Sequence, residues 1–324
     1  MDHFPVEIWQ KIGCHACLDG GYTGCSLSEV SRGMRSAMRL VRHTSISITS
    51  VNGCLIYEAL TDKIGYNLPI RHLLISVPIA RWGPEAIPRE KEIVISRAIN
   101  KILSLAAQTL ITLTVHSPDW FDLFENNLQF PHLLDMSLPD VPRKDQQPTL
   151  NMLPVLERLH ISHAGRYTQS IQFWELIAKF IPSLVSIRFS SVSTSWLPPF
   201  LRIFLDIPAD ANRGFVYANL IDEFPPDSED ASSAATVASQ LDRLVCVILQ
   251  PWKYPSGGRC GTGEMEHGNM VEVLKTIAMC TKDRKEGERR LWMLEESTRY
   301  GPEEALVDWM EVVSGRDGLW RLPK

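Results

Sequence analysis

Phe130-Pro131-His132-Leu133-Leu134-Asp135-Met136-Ser137-Leu138 returns as Leu153-Pro154-Val155-Leu156-Glu157-Arg158-Leu159-His160-Ile161, then as Ile181-Pro182-Ser183-Leu184-Val185-Ser186-Ile187-Arg188-Phe189. An apolar residue and a proline precede Leu-x-x-apolar-x-apolar, and the motif leucines stand 23 and then 28 residues apart. Versions without the proline lie upstream at Leu110-Ile111-Thr112-Leu113-Thr114-Val115 and Ile70-Arg71-His72-Leu73-Leu74-Ile75. A period of about 20–29 residues with one short alternating strand per unit is the mark of leucine-rich repeats. The expected fold is α/β: a helical unit at 1–45, then an irregular leucine-rich-repeat-like solenoid over 46–324. Its strands would be parallel, alternate with helices and stack right-handedly. Irregularity is expected because Pro118, Val141, Ala164 and Val192 stand where regular repeats carry a turn-holding asparagine.

Alternation along a strand sends every second side chain to one face. The outward set is His72, Leu74 and Ser76; Thr112, Thr114 and His116; Asp135 and Ser137; Arg158, His160 and Ser162; Ser186, Arg188 and Ser190. Nearly all are polar, as a solvent-facing concave side would be. His72, Thr112, Thr114, Asp135, Arg158, His160 and Arg188 are the candidates for holding a protein target. Arg158, His160 and Arg188 form a mildly basic patch suited to an acidic or phosphorylated ligand. A generic solvated face without a fixed ligand is the competing reading.

Helices are expected on the return paths at 90–107, 120–128 and 171–180, and beyond Pro199. Strands are expected at 215–221, 244–249 and 291–294, and helices at 270–280 and 302–313. The acidic stretch 222–236 and the Gly-rich stretch 254–263 read as loops, and the mixed-charge run 282–290 as a solvated one. The C-terminal third is expected to cap the open end of the solenoid, which cannot leave apolar surface bare.

The chain has 324 residues, 44% of them hydrophobic and 22% charged, with a net charge of −5. Nucleic acid is not an expected partner, because binding it needs a clustered basic excess. Seven cysteines scattered from Cys14 to Cys280 do not form a disulfide pattern and suggest a reducing compartment, cytoplasm or nucleus. The amino terminus lacks a signal-peptide pattern, and no apolar run is long enough for a membrane span. Cys14-x-x-Cys17 without a second pair is a weak metal signal, and no metal or cofactor is expected. Gly257-Gly258-Arg259-Cys260-Gly261-Thr262-Gly263 lacks the ending of a phosphate loop. No catalytic motif appears, so an enzyme is not expected.

At the amino end, Ile8, Ile12 and Ala16 form an apolar stripe. Asp19-Gly20-Gly21 ends that helix, and Ser26-x-x-Glu29 fits a capping box opening a second one, with Leu27, Val30, Met34 and Met38 on one face. The stretch Phe4-Pro5-Val6-Glu7-Ile8-Trp9-x-x-Ile12, followed by Ser26-Leu27-Ser28-x-Val30-Ser31-Arg32-x-x-Arg35, resembles the F-box. With Ala16-Cys17-x-Asp19-Gly20-Gly21-x-Thr23-Gly24 between them, it looks like the F-box-like proteins expanded in mushroom-forming fungi. Tyr300-Gly301 to Trp309 and the closing Gly318-x-Trp320 share that likeness. The resemblance implies docking onto the Skp-type adaptor of a cullin–RING ubiquitin ligase, with Phe4, Pro5, Ile8, Ile12, Leu27 and Val30 as adaptor contacts. It implies a substrate receptor that acts by positioning its target for ubiquitination. The alternative is a repeat-based scaffold whose altered F-box no longer docks, with Pro5 and Ile8 buried internally.

Overall fold

A computed structural model of the chain describes residues 5–39, 41–64, 69–77, 88–116, 128–139, 152–163, 171–192, 197–207, 229–253, 261–285, 287–297 and 300–322. Phe4, the helix expected at 120–128 (apart from its last residue) and the strand expected at 215–221 lie outside them. The fold is α/β, and every strand pairing described within a unit is parallel. The chain divides into two compact units, 1–153 with 301–321, and 154–300 with 322–324.

The first unit opens with three short helices, α1 (Val6–Ala16), α2 (Tyr22–Val30) and α3 (Arg32–Ala37). The capping box at Ser26 does not form, because α2 starts earlier, at Tyr22 after Gly21 in the left-handed conformation (φ 101°). Asp19 supplies the cap instead, its carboxylate accepting from the Thr23 amide and hydroxyl. The second helix also breaks at Ser31, whose extended backbone and side-chain oxygen cap α3 by accepting from Met34 N at 3.0 Å. Four strands follow, β1 (Ser45–Ile48), β2 (His72–Ile75), β3 (Thr112–Val115) and β4 (Asp135–Leu138), each paired with the next. Between them run α4 (Val51–Ile64) and α5 (Arg89–Ala106), with Lys101 and Glu58 3.5 Å apart across the pair.

The second unit repeats the plan with β5 (Arg158–Ile161), β6 (Ser186–Val192), β7 (Cys246–Pro251) and β8 (Arg290–Met293) in sequence order. Its helices are α6 (Ile171–Phe180), α7 (Leu197–Phe204), α8 (Glu229–Gln240) and α9 (Gly261–Thr281). Two stretches read as loops are therefore partly helical: α8 begins within the acidic run and α9 within the Gly-rich one. Trp174 of α6 stacks on Phe200 of α7 at 4.3 Å between ring centroids, and Phe200 stacks on Phe204 at 5.9 Å.

The repeat motif works the same way in both units. Leu133 N donates to Phe130 O at 3.4 Å and Leu184 N to Ile181 O at 3.1 Å, closing a tight turn. Proline fits the second position of that turn, because its fixed φ suits it and no amide is lost. The motif leucines Leu133, Leu156 and Leu184 are buried, and the strand starts two residues later.

The run 282–290 is not a solvated loop throughout. Arg284 donates to Leu205 O, and Arg289 donates to Phe204 O at 2.8 Å, Ala238 O at 2.7 Å and Leu241 O at 3.1 Å. These two cations close the carboxyl ends of α7 and α8, where backbone carbonyls lack partners and the helix dipole favours positive charge.

The C-terminal helix is α10 (Pro302–Val313). It belongs to the first unit and packs on the strand side of β2 and β3, where Trp309 and Val313 meet Leu74.

Candidate functional site

Two surfaces carry the candidate residues: the outer side of the helical head and the polar side of the strands. In the head, Cys17, Met34, Ala37, Met38 and Val41 form a closed core, with Trp9, Cys14 and Leu27 packed against it. On α1 the inward side is Trp9, Gly13 and Cys17, spaced four apart. Gly13 is needed there, because a Cβ would come 2.6 Å from Met38 Sδ and 2.9 Å from Val41 Cγ1. Burial first, then the charge of Asp19, pushes the Cys17 thiol up to about 11, so it behaves as an apolar core group.

That leaves the other side of α1 free. Ile8 is 41% and Ile12 49% exposed, and on α2 Val30 is 57% exposed. Pro5 and Val6 are exposed beside them. Leu27 is the exception among the candidate adaptor contacts in the described residues, since it packs on the inner core. Ile8 and Ile12 are not the head's own core, because Trp9, Gly13 and Cys17 occupy that side.

The polar strand side differs from expectation. It is not solvent-facing: Thr112, Thr114, Asp135, His160 and Arg188 are buried, while His72 and Arg158 are half-buried. In the first unit the register sets Ser45, His72, Thr112 and Asp135 in one row and Ser47, Leu74, Thr114 and Ser137 in the next. His72 Nδ1 and Thr112 Oγ1 are 3.0 Å apart, and Ser45 Oγ accepts from Gly20 N at 3.2 Å. Trp309 and Val313 lie over Leu74, with Leu18, Leu306 and Met310 around them. The sequence hid this cover because α10 returns from far along the chain, which no local periodicity records.

In the second unit the polar side chains bond to one another. His160 Nε2 and Ser190 Oγ are 3.0 Å apart. Arg188 donates to Gln250 Oε1 at 2.8 Å, and Ser190 donates to the same oxygen at 3.3 Å. The Tyr300 ring meets His160 edge-on at 4.8 Å, and Tyr300 N donates to Ser191 Oγ at 3.2 Å. The expected basic patch is therefore not an open one: His160 and Arg188 are buried in this network, and Arg158 remains half-buried.

Two imidazoles of the first unit report on its packing. Burial, reinforced by Arg71, lowers His72 to about 4, and burial, reinforced by Arg42, lowers His43 to about 4. Both folded values lie below the ordinary value of 6.5. The unfolded chain therefore binds more protons between those limits, and stability falls as pH drops from about 6.5 towards 4, then levels off. Tenfold in proton affinity is about 1.4 kcal/mol, so the pair together is worth several kcal/mol. Urea midpoints of the first unit at pH 7.5 and 5 are expected to show this loss, and His72→Gln to reduce it by about half, the His43 share remaining. Equal midpoints would contradict it.

Among the described residues no helix is long and apolar enough to cross a membrane, and no group of three or more His, Cys, Asp or Glu is placed to hold a metal ion. Comparison with protein-family models, curated proteins and solved structures finds no match.

Proposed function

We propose that this chain is an F-box-like substrate receptor, docking through its helical head on the Skp-type adaptor of a cullin–RING ubiquitin ligase and holding a protein target on its leucine-rich-repeat-like strands. The observation that carries the proposal is the outward stripe Pro5, Ile8 and Ile12 on α1, with Val30 also exposed on α2, on helices whose other side is already filled by a core. An apolar helical stripe left over after the head has closed its own core suits a hydrophobic groove on a partner. The scaffold alternative required Pro5 and Ile8 inside, and both are exposed. The resemblance of Phe4-Pro5-Val6-Glu7-Ile8 and Leu27-x-x-Val30-Ser31-Arg32 to the F-box names the partner. Leu27 then serves the head's core rather than the adaptor. The protein does no chemistry in this reading. It raises the effective concentration of target lysines near the ubiquitin-conjugating enzyme.

The test is co-expression with a Skp-type adaptor and capture of the full chain. The adaptor is expected to be retained, and Ile8→Asp with Ile12→Asp to reduce retention at least roughly a hundredfold, because central apolar anchors dominate such interfaces. Both positions are exposed, so the thermal midpoint is expected to move little. A wild-type chain that retains no adaptor overturns the proposal.

A further inference from the structure

We propose that residues 301–321 form a displaceable cover which occupies, in cis, the strand face of the first unit where a target would bind. This rests on the reading that the strands hold a target, and it adds that α10 must leave first. Three observations carry it.

The seat beneath the helix is poorly suited to permanent burial. Of the rows under and around α10, only Leu74 is apolar; its neighbours are Ser47, Thr114 and Ser137, with His72, Thr112 and Asp135 alongside. Hydroxyls covered by an indole gain little from leaving water. α10 buries Ala305, Trp309 and Val313 among its twelve residues, whereas α6, with ten, buries Phe173, Trp174, Ile177, Ala178 and Phe180.

The closed state also leaves polar groups without partners. Trp309 Nε1 and Ser76 Oγ, the latter two residues beyond Leu74 on the same side, are buried and have no hydrogen-bond partner among the described residues. Opening returns the Trp309 indole N–H to water, which favours the uncovered state.

Finally, the segment is a self-contained piece. Pro302 opens the helix, the Glu304 carboxylate accepts from Gly301 N at 3.0 Å, and Ser314 N donates to Met310 O at 3.1 Å. The short turn Gly318–Trp320 folds back on α10 so closely that a Cβ on Gly318 would lie 2.9 Å from Asp308 O. With φ of 51°, glycine suits that position. The start, the stop and the closing turn of the cover come from its own residues, and its apolar cluster takes in Leu18 and Leu74 from outside the segment, so it can lift as a unit. The face it leaves fits an amphipathic helix with an aromatic anchor over Leu74, the chemistry α10 itself presents.

Amide hydrogen exchange on the full-length chain tests this without any ligand. Amides of α10 are expected to exchange at least roughly a hundredfold faster than those of β2 and β3, through a local opening insensitive to low urea. Maleimide labelling of a Thr114→Cys variant is expected to follow the α10 rate, and adding Trp309→Ala to speed labelling at least about tenfold while β2 and β3 stay protected. If α10 exchanges only at the rate of those strands, or if Trp309→Ala releases helix and strands together, the segment is an integral part of the core and the proposal fails. Adaptor retention is measured separately, so either result leaves that reading standing or falling on its own.

Discussion

Replacing Gly24 with alanine is expected to destabilise the helical head by about 2 kcal/mol, the opposite of what helix propensity alone would give. In an unconstrained helix interior that change favours the helix by about 1 kcal/mol. Gly24, in α2, is buried against the turn Val41–His43, and an added Cβ would stand 2.6 Å from both Cα and Cβ of Arg42 and 3.3 Å from its carbonyl oxygen. The nearest obstacle is backbone, so no rotamer change relieves it. The helix must lift, which loosens the core of Cys17, Met34, Met38 and Val41. Chemical denaturation followed by the fluorescence of Trp9, which packs on that core, measures the effect. A Gly24→Ala head as stable as the wild type would show that α2 does not pack this tightly.

A comparable loss, about 3–5 kcal/mol, is expected in the second unit from Trp174→Ala. The indole is fully buried, stacked 4.3 Å from Phe200, with Phe173 and Phe189 edge-on at 5.1 and 5.8 Å. Removing it opens a cavity where α6, α7 and β6 meet. Trp174→Phe makes the informative companion. Trp174 Nε1 is buried with no hydrogen-bond partner among the described residues, so phenylalanine discards an unsatisfied donor while keeping a ring to stack. Its cost is expected to be well below half that of alanine in urea denaturation. Equal losses would mean that the stack contributes little and that shape complementarity around the larger ring decides.

The strands were legible because the turn-and-leucine device is local: an apolar residue, a tight turn, a buried leucine, then a strand two residues on. The same device recurs at Leu241-Asp242-Arg243-Leu244-Val245-Cys246-Val247-Ile248-Leu249, where Leu244 N donates to Leu241 O at 3.2 Å. Without a proline, and after a long interval, it reads as a strand but not as a repeat. Helix α8 was hidden in a polar, acidic run, although Ala234, Val237, Ala238 and Leu241 recur at helical spacing and are buried. In the head, Ile8 and Ile12 make the stronger apolar stripe, but the packing side is the one with Gly13 and Cys17, residues that are weakly apolar in a pattern. What stayed illegible depends on distant parts of the chain. Arg284 and Arg289 close helix ends at Leu205, Phe204 and Ala238, and α10 covers a strand face that polarity alone assigned to solvent.

Docking of the head is the claim on which the functional reading turns, and titration calorimetry of the full-length chain with a purified Skp-type adaptor addresses it most directly. The expected result is one-to-one binding with a Kd below about 1 μM, or roughly −8 kcal/mol, lost when Ile8 and Ile12 are both changed to aspartate. An intact, folded chain that gives no binding heat at several temperatures, or binding that survives both substitutions, contradicts it.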